Sequence, residues 1–317
     1  MDVYRLFKLM SDRSSHNKRI AKNTLFLYLR MGLVLVVSLF STRVVLQALD
    51  IEDYGINNVV SGFVTMFAFL NTSMSNGVQR FYNFSLGRKN GYSIKDVYNT
   101  ALQIQAILAV TLLVPLETFG MWYIHTQMVI PIDRFAAAQW VFQFSVLSLV
   151  LLVLQIPYSA AIMAYEKMDY YAYLSIFDVL AKLGIAYIIK YTTFDKLILY
   201  GALNMLVSLI CFFLYYGYAK SHFQDLKSDF IIRKQLFKPM LYFSGWNGFG
   251  SFAYMIKSQG LNMLLNVFFG PVVNAARGVS NMAMSAIQGF QSNIVIAFRP
   301  QLIQSYATGD NLSLIHI

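Results

Sequence analysis

Apolar runs of roughly 20 residues, separated by short polar stretches, recur along this sequence and limit the fold to one kind. A helix of about 20 residues spans the ~30 Å hydrocarbon core of a bilayer. Of the 317 residues, 57% are hydrophobic and 13% are charged, which leaves too little polar surface for a soluble protein of this size. The sequence therefore predicts an all-α polytopic membrane protein.

We predict eight transmembrane spans, and the last two repeat the layout of the first two. Each of these pairs consists of a basic loop, a long span, a short turn and a span rich in small residues. The repeat predicts a six-helix N-lobe followed by the first two helices of a second lobe. The spans are expected at 24–46, 56–78, 100–122, 137–163, 171–189, 197–218, 241–268 and 276–298.

The domain prediction follows from these spans. A basic segment (1–23) precedes the six-helix N-lobe (24–218), and a basic linker (219–240) leads to the opening of the second lobe (241–310). A second lobe of six helices would need more chain, so the sequence is expected to be truncated, with residues 311–317 as its end.

Lysine and arginine indicate the orientation, because these residues resist translocation. With a cytoplasmic N-terminus, seventeen of the 25 cations lie on the cytoplasmic side and three, Arg134, Lys190 and Lys196, lie outside. The same distribution accounts for the net charge of +10 without a basic arm for nucleic acid. We therefore predict no nucleic-acid partner and a multi-pass protein with its N-terminus in the cytoplasm.

Charges inside the spans are candidates for function, because each costs several kcal/mol unless it faces protein or water. Five cations and two acids lie there: Arg30, Arg43, Lys182, Lys257, Arg277, Glu117 and Asp178. Those near span ends can reach the interface, and Asp178 and Lys182 are spaced to pair on one helix face. Arg30 and Lys257 remain, and an excess of intramembrane cations suits an anionic substrate. Asp178 and Glu117 are candidates for ion coupling.

The stretch 237–301 is too polar for a lipid-facing anchor, so its polar residues are expected to line a cavity. The predicted substrate-binding residues there are Trp246, Asn247, Gln259, Asn262, Asn266 and Asn281. Gly245 and Gly248 allow bending, and Pro157 removes a helix hydrogen bond in the fourth span. These three residues are predicted hinges.

No pattern of residues indicates catalysis. The sequence has no P-loop, no HExxH and no supported Ser/His/Asp set. Its single cysteine, Cys211, lies in an apolar run, which excludes a multi-cysteine metal site. We therefore predict no enzyme activity, no cofactor and no metal.

From about residue 18 to 310, the sequence resembles the Wzx-type oligosaccharide flippases of the multidrug/oligosaccharidyl-lipid/polysaccharide exporter superfamily. The resemblance rests on an ordered set of stretches, none decisive by itself. They are Arg43 with Tyr54-Gly55-Ile56-Asn57-Asn58-Val59-Val60, Gln79-Arg80-Phe81, Pro157-Tyr158, Ala164-Tyr165-Glu166-Lys167-Met168, Phe243-Ser244-Gly245-Trp246-Asn247, Gln259-Gly260-Leu261-Asn262, Phe269-Gly270, Asn274-Ala275-Ala276 and Arg299-Pro300-Gln301.

The resemblance implies a transporter in the inner membrane. Such proteins have about 12 to 14 helices in two lobes around a cationic cavity. They move undecaprenyl-diphosphate-linked sugar repeats to the periplasmic leaflet by alternating access, for lipopolysaccharide, capsule or exopolysaccharide biosynthesis. Arg30 and Lys257 would then draw in the diphosphate. The expected partners are the lipid-linked oligosaccharide, membrane lipids, and a polysaccharide polymerase and glycosyltransferases.

Other functions stay open at this point. A cation-coupled multidrug antiporter of the same superfamily would use intramembrane acids, and the excess of cations argues against it. A membrane enzyme of polysaccharide biosynthesis would show large loops or clustered Asp and His residues, whereas the four histidines here are scattered. A structural membrane subunit is a further alternative.

Overall fold

The protein is all-helical in the part of the chain that the structure describes. This computed structural model describes the backbone of residues 2–87, 92–126, 130–226 and 234–309. It describes side chains from residue 22 onward, except at 51, 59, 63, 65, 68, 234, 255–256, 258–283 and 285–286. Helices and short turns fill these ranges, which contain no β-strand. The predicted end at 311–317 lies outside the described residues.

Eight α-helices follow one another in the described ranges. They are α1 (Asp2–Thr65), α2 (Ala68–Gly87), α3 (Ile94–Pro115), α4 (Met121–Thr126), α5 (Phe135–Ala164), α6 (Met168–Lys190), α7 (Lys196–His222) and α8 (Lys234–Thr308). A π-helical turn, Leu116–Gly120, joins α3 to α4, and a 3₁₀ turn, Ile132–Arg134, leads into α5.

Polar side chains mark several helix ends. The Oγ of Ser93 accepts a hydrogen bond from the Asp96 amide at 3.1 Å and caps α3. The Oδ1 of Asp195 accepts bonds from the amides of Leu197 and Ile198, both at 3.0 Å, and caps α7. These caps satisfy amides that have no partner within the first turn.

Five stretches are long and apolar enough to cross a membrane in the described part of the chain. They are Lys22–Asp50, Ile94–Thr126, Ile132–Ala164, Met168–Lys190 and Lys196–His222. Each overlaps a predicted span, and the fold is that of a multi-pass membrane protein.

The first predicted span and the start of the second lie within one helix that bends. Asp50 has φ 63° and ψ 169° inside α1, so residues before and after it form separate crossings. The second crossing continues through the turn at Met66 and Phe67 into α2. Its many asparagine and serine residues, such as Asn57, Ser61 and Ser73, explain why it is less apolar than the other five.

The crossings form a six-helix bundle, the predicted N-lobe. The turn at Asp50, Thr126 and Asp195 lie at one end of this bundle, which we call the outer end. Gly87, Ala164 and His222 lie at the other, the inner end, which the charge distribution predicts to be cytoplasmic. The largest core cluster packs α2, α3, α5 and α7 together, with Tyr82 and Tyr98 fully buried among them. Large side chains such as Leu39 and Phe40 remain exposed, as expected of a lipid-facing surface.

The start of α8 runs antiparallel to α2. The rings of Phe69 and Phe252 lie 5.6 Å apart, and those of Phe81 and Phe243 lie 6.5 Å apart. Residue numbers rise along α2 while they fall along α8. We call residues 234–254 the first arm of α8.

The end of α8 runs parallel to the same helix. Arg299 donates to the Oδ1 of Asn76, and the rings of Phe84 and Tyr306 lie 6.2 Å apart. Residue numbers rise together along both helices. We call residues 287–308 the second arm.

The two arms therefore run in opposite directions. α8 is assigned as one helix of 75 residues, and a straight helix would place residues 243 and 306 about 95 Å apart. Yet residues 243 and 306 contact positions 81 and 84 of α2, which lie within one turn of each other. The chain must reverse between the arms, as expected for the hairpin predicted at 241–268 and 276–298. Gly270 and Pro271 follow one another at the predicted turn.

Candidate functional site

A cavity of about 600 Å³ lies inside the N-lobe, between α1, α5, α6 and α7. Three charged side chains line it: Arg30, Asp178 and Lys182. Three amides, Asn57, Gln155 and Asn204, and five serines add hydrogen-bonding groups. A cavity this polar within apolar helices suits water, an ion or a polar ligand.

Arg30 connects three elements at the edge of this cavity. Its guanidinium donates to Ser175 Oγ on α6 and to Asn293 Oδ1 on the second arm of α8, both at 3.3 Å. It also lies 5.1 Å from the ring centroid of Tyr171, a favourable cation–π distance. Among the described side chains, Arg30 has no carboxylate within ion-pair distance. Its positive charge is therefore held by neutral partners.

Asp178 and Lys182 form the pair that their spacing predicts. The Nζ of Lys182 lies 2.8 Å from Asp178 Oδ2. Because both residues also line the cavity, an ion or proton entering it would meet a carboxylate already paired with a lysine. Asp178 therefore lies where an ion-coupling residue could act.

Glu117 lies elsewhere. It belongs to the π-helical turn Leu116–Gly120, and its Oε2 accepts a hydrogen bond from Gln143 Nε2 at 2.9 Å. It does not line the cavity, so the structure separates the two candidate coupling residues.

The candidate substrate residues of the first arm do not reach the cavity. Trp246 is 59% exposed and makes edge-to-face contacts with Tyr242 and Phe249. Asn247 donates to the carbonyl of Phe243 within its own helix, at 3.0 Å. Lys257, just beyond the first arm, is exposed and does not line the cavity. The side chains of Gln259, Asn262, Asn266 and Asn281 lie outside the described residues, so their predicted role stays a prediction.

The three predicted hinge residues occupy ordinary helix. α5 continues through Pro157, whose carbonyl accepts a hydrogen bond from the Tyr82 hydroxyl at 3.3 Å. A side chain at Gly245 would meet nothing within 4 Å, and one at Gly248 would lie 3.3 Å from Ser73 Oγ. Their role in bending stays a prediction.

Two glycines that the sequence reasoning missed lie where α2 meets α8. A Cβ at Gly77 would overlap the hydroxyl of Ser244, and a Cβ at Gly87 would lie 2.6 Å from the carbonyl oxygen of Gln304. Ser73 also donates to the Ser244 carbonyl at 2.6 Å. The small residues Ser73 and Gly77 are spaced four apart, a pattern that permits close helix approach in membranes and could have been found in the sequence.

The second arm holds the inner end of the N-lobe through polar contacts. Gln304 Nε2 donates to the carbonyl of Ala164 at 3.1 Å, and Gln301 Nε2 donates to Glu166 Oε2 at 3.1 Å. Arg299 adds its bond to Asn76. We call these bonds and the close approaches at Gly77 and Gly87 the lobe contact. It joins the inner end of the N-lobe to both arms of α8.

Charged residues join three helices at the outer end of the N-lobe. Arg134 makes ion pairs with Asp53 and Asp195, the latter at 2.8 Å. Burial raises the pKa of Asp53 above its usual value, more than the neighbouring Arg134 lowers it. This group ties the turn after Asp50 to the starts of α5 and α7.

Comparison with known proteins identifies the fold. No protein-family model and no curated protein matches the sequence. Several solved structures do match in fold. An outward-facing multidrug resistance MATE family transporter of the MOP superfamily matches at a TM-score of 0.76 and 12% identity, over 95% of this chain and 67% of that chain.

Two further structures agree. MATE in complex with MaD3S matches at a TM-score of 0.74 and 12% identity, over 94% of this chain and 68% of that one. A MOP superfamily transporter from Pyrococcus furiosus, described as having a binding pocket of reverse polarity, matches at a TM-score of 0.69 and 12% identity. This match covers 93% of this chain and 67% of that one. The chain thus has the fold of these transporters and spans about two-thirds of their length.

Proposed function

We propose that this chain belongs to a flippase that moves a lipid-diphosphate-linked oligosaccharide across the inner membrane by alternating access. Arg30 is the observation that carries the proposal. A diphosphate-linked glycan cannot cross hydrocarbon unless a protein replaces the water around its charges. Arg30 offers a positive charge at a polar cavity and is bonded to neutral Ser175 and Asn293.

The arrangement around Arg30 also links binding to lobe movement. Ser175 belongs to the N-lobe, whereas Asn293 belongs to the second arm of α8. An anion that attracts the guanidinium would compete with its bond to Asn293. Binding would then weaken one contact between the lobes, and such a ligand shifts the balance between closed and open states.

The proposal is tested by reconstituting the chain in liposomes that contain a fluorescent undecaprenyl-diphosphate-linked oligosaccharide. Arg30→Gln should lower both binding and translocation by about tenfold or more, because a hydrogen-bonded charge pair contributes about 1.5–3 kcal/mol. Arg43→Gln is the matched control, since Arg43 lies exposed at the far end of the same crossing. Equal binding by the wild type and the Arg30→Gln variant would contradict the proposal.

A cation-coupled multidrug antiporter is the second candidate, and Asp178 is the observation that favours it. Its carboxylate lines the same cavity and is paired with Lys182. In that case Asp178→Asn should abolish ion-dependent efflux of a cationic dye from the same liposomes. Dye efflux that depends on Asp178, without movement of the lipid-linked glycan, would favour the antiporter over the flippase.

A further inference from the structure

The turn after α5 places a glutamate in a conformation that favours glycine. The amide of Lys167 bonds to the carbonyl of Ile162 and the amide of Glu166 bonds to that of Met163, both at 3.0 Å. These two bonds form a Schellman motif, in which the residue at the position of Glu166 is left-handed and usually glycine. Glu166 has φ 58°. The backbone alone therefore gives no reason for a glutamate here.

The side chain of Glu166 is also costly to bury. The residue is 8% exposed, and Gln301, whose Nε2 donates to its Oε2 at 3.1 Å, is 2% exposed. A carboxylate removed from water loses free energy unless hydrogen-bond donors replace the water. Backbone strain and a buried carboxylate thus coincide at one residue, and strain held in a folded protein points to a function for the side chain.

The position of Glu166 indicates that function. The carbonyl of Ala164 and the carboxylate of Glu166 face the second arm, which presents two amide donors, Gln301 and Gln304, three residues apart on one helix face. Both bonds join the N-lobe to α8. Gln301 donates through a neutral amide, so this bond between the lobes gains from one charge and is weaker than a buried ion pair would be. Such a bond can hold two lobes together and still be broken in a transport cycle.

We infer that Glu166 and Gln301 form a latch that keeps the inner end of the protein closed. Opening this end requires the bond between their side chains to break, while the rest of the N-lobe moves as one body. The inference rests on the proposed alternating access and adds to it the residues that set the balance between the closed and open states.

The test measures the distance between the lobes and needs no substrate. Nitroxide labels are attached at Lys220→Cys on α7 and Thr308→Cys on the second arm, both exposed, in the full chain with its single cysteine replaced by Cys211→Ala. Pulsed electron–electron double resonance in nanodiscs then gives the distribution of distances between the two labels. A pair within the N-lobe, Tyr173→Cys and Lys220→Cys, serves as the control.

Three variants separate the latch from a purely local role. Glu166→Gly and Gln301→Ala should each raise the ratio of separated to closed lobes by about tenfold, the effect of losing a hydrogen bond to a charged group. Glu166→Gln keeps an oxygen acceptor for Gln301 without the charge and should give a ratio between those of the wild type and Glu166→Gly. Glu166→Gly should also slow hydrogen exchange at the end of α5, because glycine relieves the left-handed strain.

The outcome that overturns the latch is an unchanged distance between the lobes in both Glu166→Gly and Gln301→Ala. If hydrogen exchange at the end of α5 were still slower in Glu166→Gly, Glu166 would affect only the local stability of the turn. If Glu166→Gly fails to fold, Gln301→Ala decides by itself. Unchanged distances with intact glycan translocation would refute only the latch, whereas separated lobes without translocation would refute only the proposed function.

Discussion

Gly77 allows a close approach between the N-lobe and the first arm of α8. A Cβ at this position would overlap the Ser244 hydroxyl and would lie 3.2 Å from the Cβ of Ser244 and 3.5 Å from its Cα. Ser244 is 2% exposed, so its side chain has no solvent-filled space into which to turn. Gly77→Ala should therefore push the first arm away from α2.

The size of the effect follows from two opposing contributions. Alanine in place of a glycine inside a helix stabilises it by about 1 kcal/mol. An added group in a packed interface costs about 1–3 kcal/mol. Gly77→Ala should thus range from neutral to about 2 kcal/mol destabilising. Gly184→Ala on α6 is the matched control, because a Cβ there meets nothing within 4 Å and only the stabilising contribution applies.

Equilibrium unfolding in mixed micelles gives the free energy of unfolding of each variant. A double-mutant cycle with Ser244 then tests whether the overlap with this residue causes the loss of stability. Ser244→Ala removes the overlapping hydroxyl and leaves the contacts at 3.2 Å to the Cβ and 3.5 Å to the Cα of residue 244. Adding it to Gly77→Ala should restore about 1 kcal/mol or more, a coupling typical of residues in contact. If Gly77→Ala and Gly184→Ala stabilise the protein equally, α2 and the first arm do not pack as the structure has them.

Two further predictions concern Asp53 at the outer end of the N-lobe and Tyr82 in its core. Burial raises the pKa of Asp53, so the folded protein holds the proton of this carboxyl more tightly than the unfolded chain does. The contribution of Asp53 to stability should therefore fall as the pH rises from about 4 through the raised pKa. The decline should be at most about 1.4 kcal/mol per pH unit. Asp53→Asn should remove this part of the decline when unfolding is followed from pH 4 to 7; identical slopes would contradict it. Tyr82→Phe should lower the free energy of unfolding by about 1 kcal/mol, because the hydroxyl of this fully buried residue bonds to the carbonyl of Pro157. An unchanged free energy would show that this bond does not stabilise α5.

The sequence predicted the helices well because a membrane span is a local property. The span predicted at 137–163 corresponds to α5, Phe135–Ala164, and that predicted at 171–189 corresponds to α6, Met168–Lys190. Length and apolar composition decide such a helix wherever its neighbours lie. A turn was predicted between the first two spans, and the structure places it at Asp50, but the positive φ of this residue was not predicted.

The site was predicted less well because it depends on which helices are neighbours. The pairing of Asp178 with Lys182 lies within one helix turn and follows from spacing. The contacts of Arg30 join residues 145 and 263 positions away, and no local pattern specifies them. Likewise Glu166 occupies a position where the usual sequence signal is glycine, so its left-handed backbone could not be predicted.

The placement of cations and acids now suggests how the two sides of the protein differ. At the outer end, Arg134 is held by two carboxylates that belong to the same lobe as itself, so this cluster can stay intact while the lobes move. At the lobe contact, Arg299 bonds to the amide of Asn76 and Glu166 to that of Gln301, and Arg30 bonds to Asn293 at the edge of the cavity. Ion pairs within a lobe keep it rigid, whereas single-charge hydrogen bonds between lobes cost less to break. In the proposed alternating access, the N-lobe would therefore move as one body when the bonds between the lobes break.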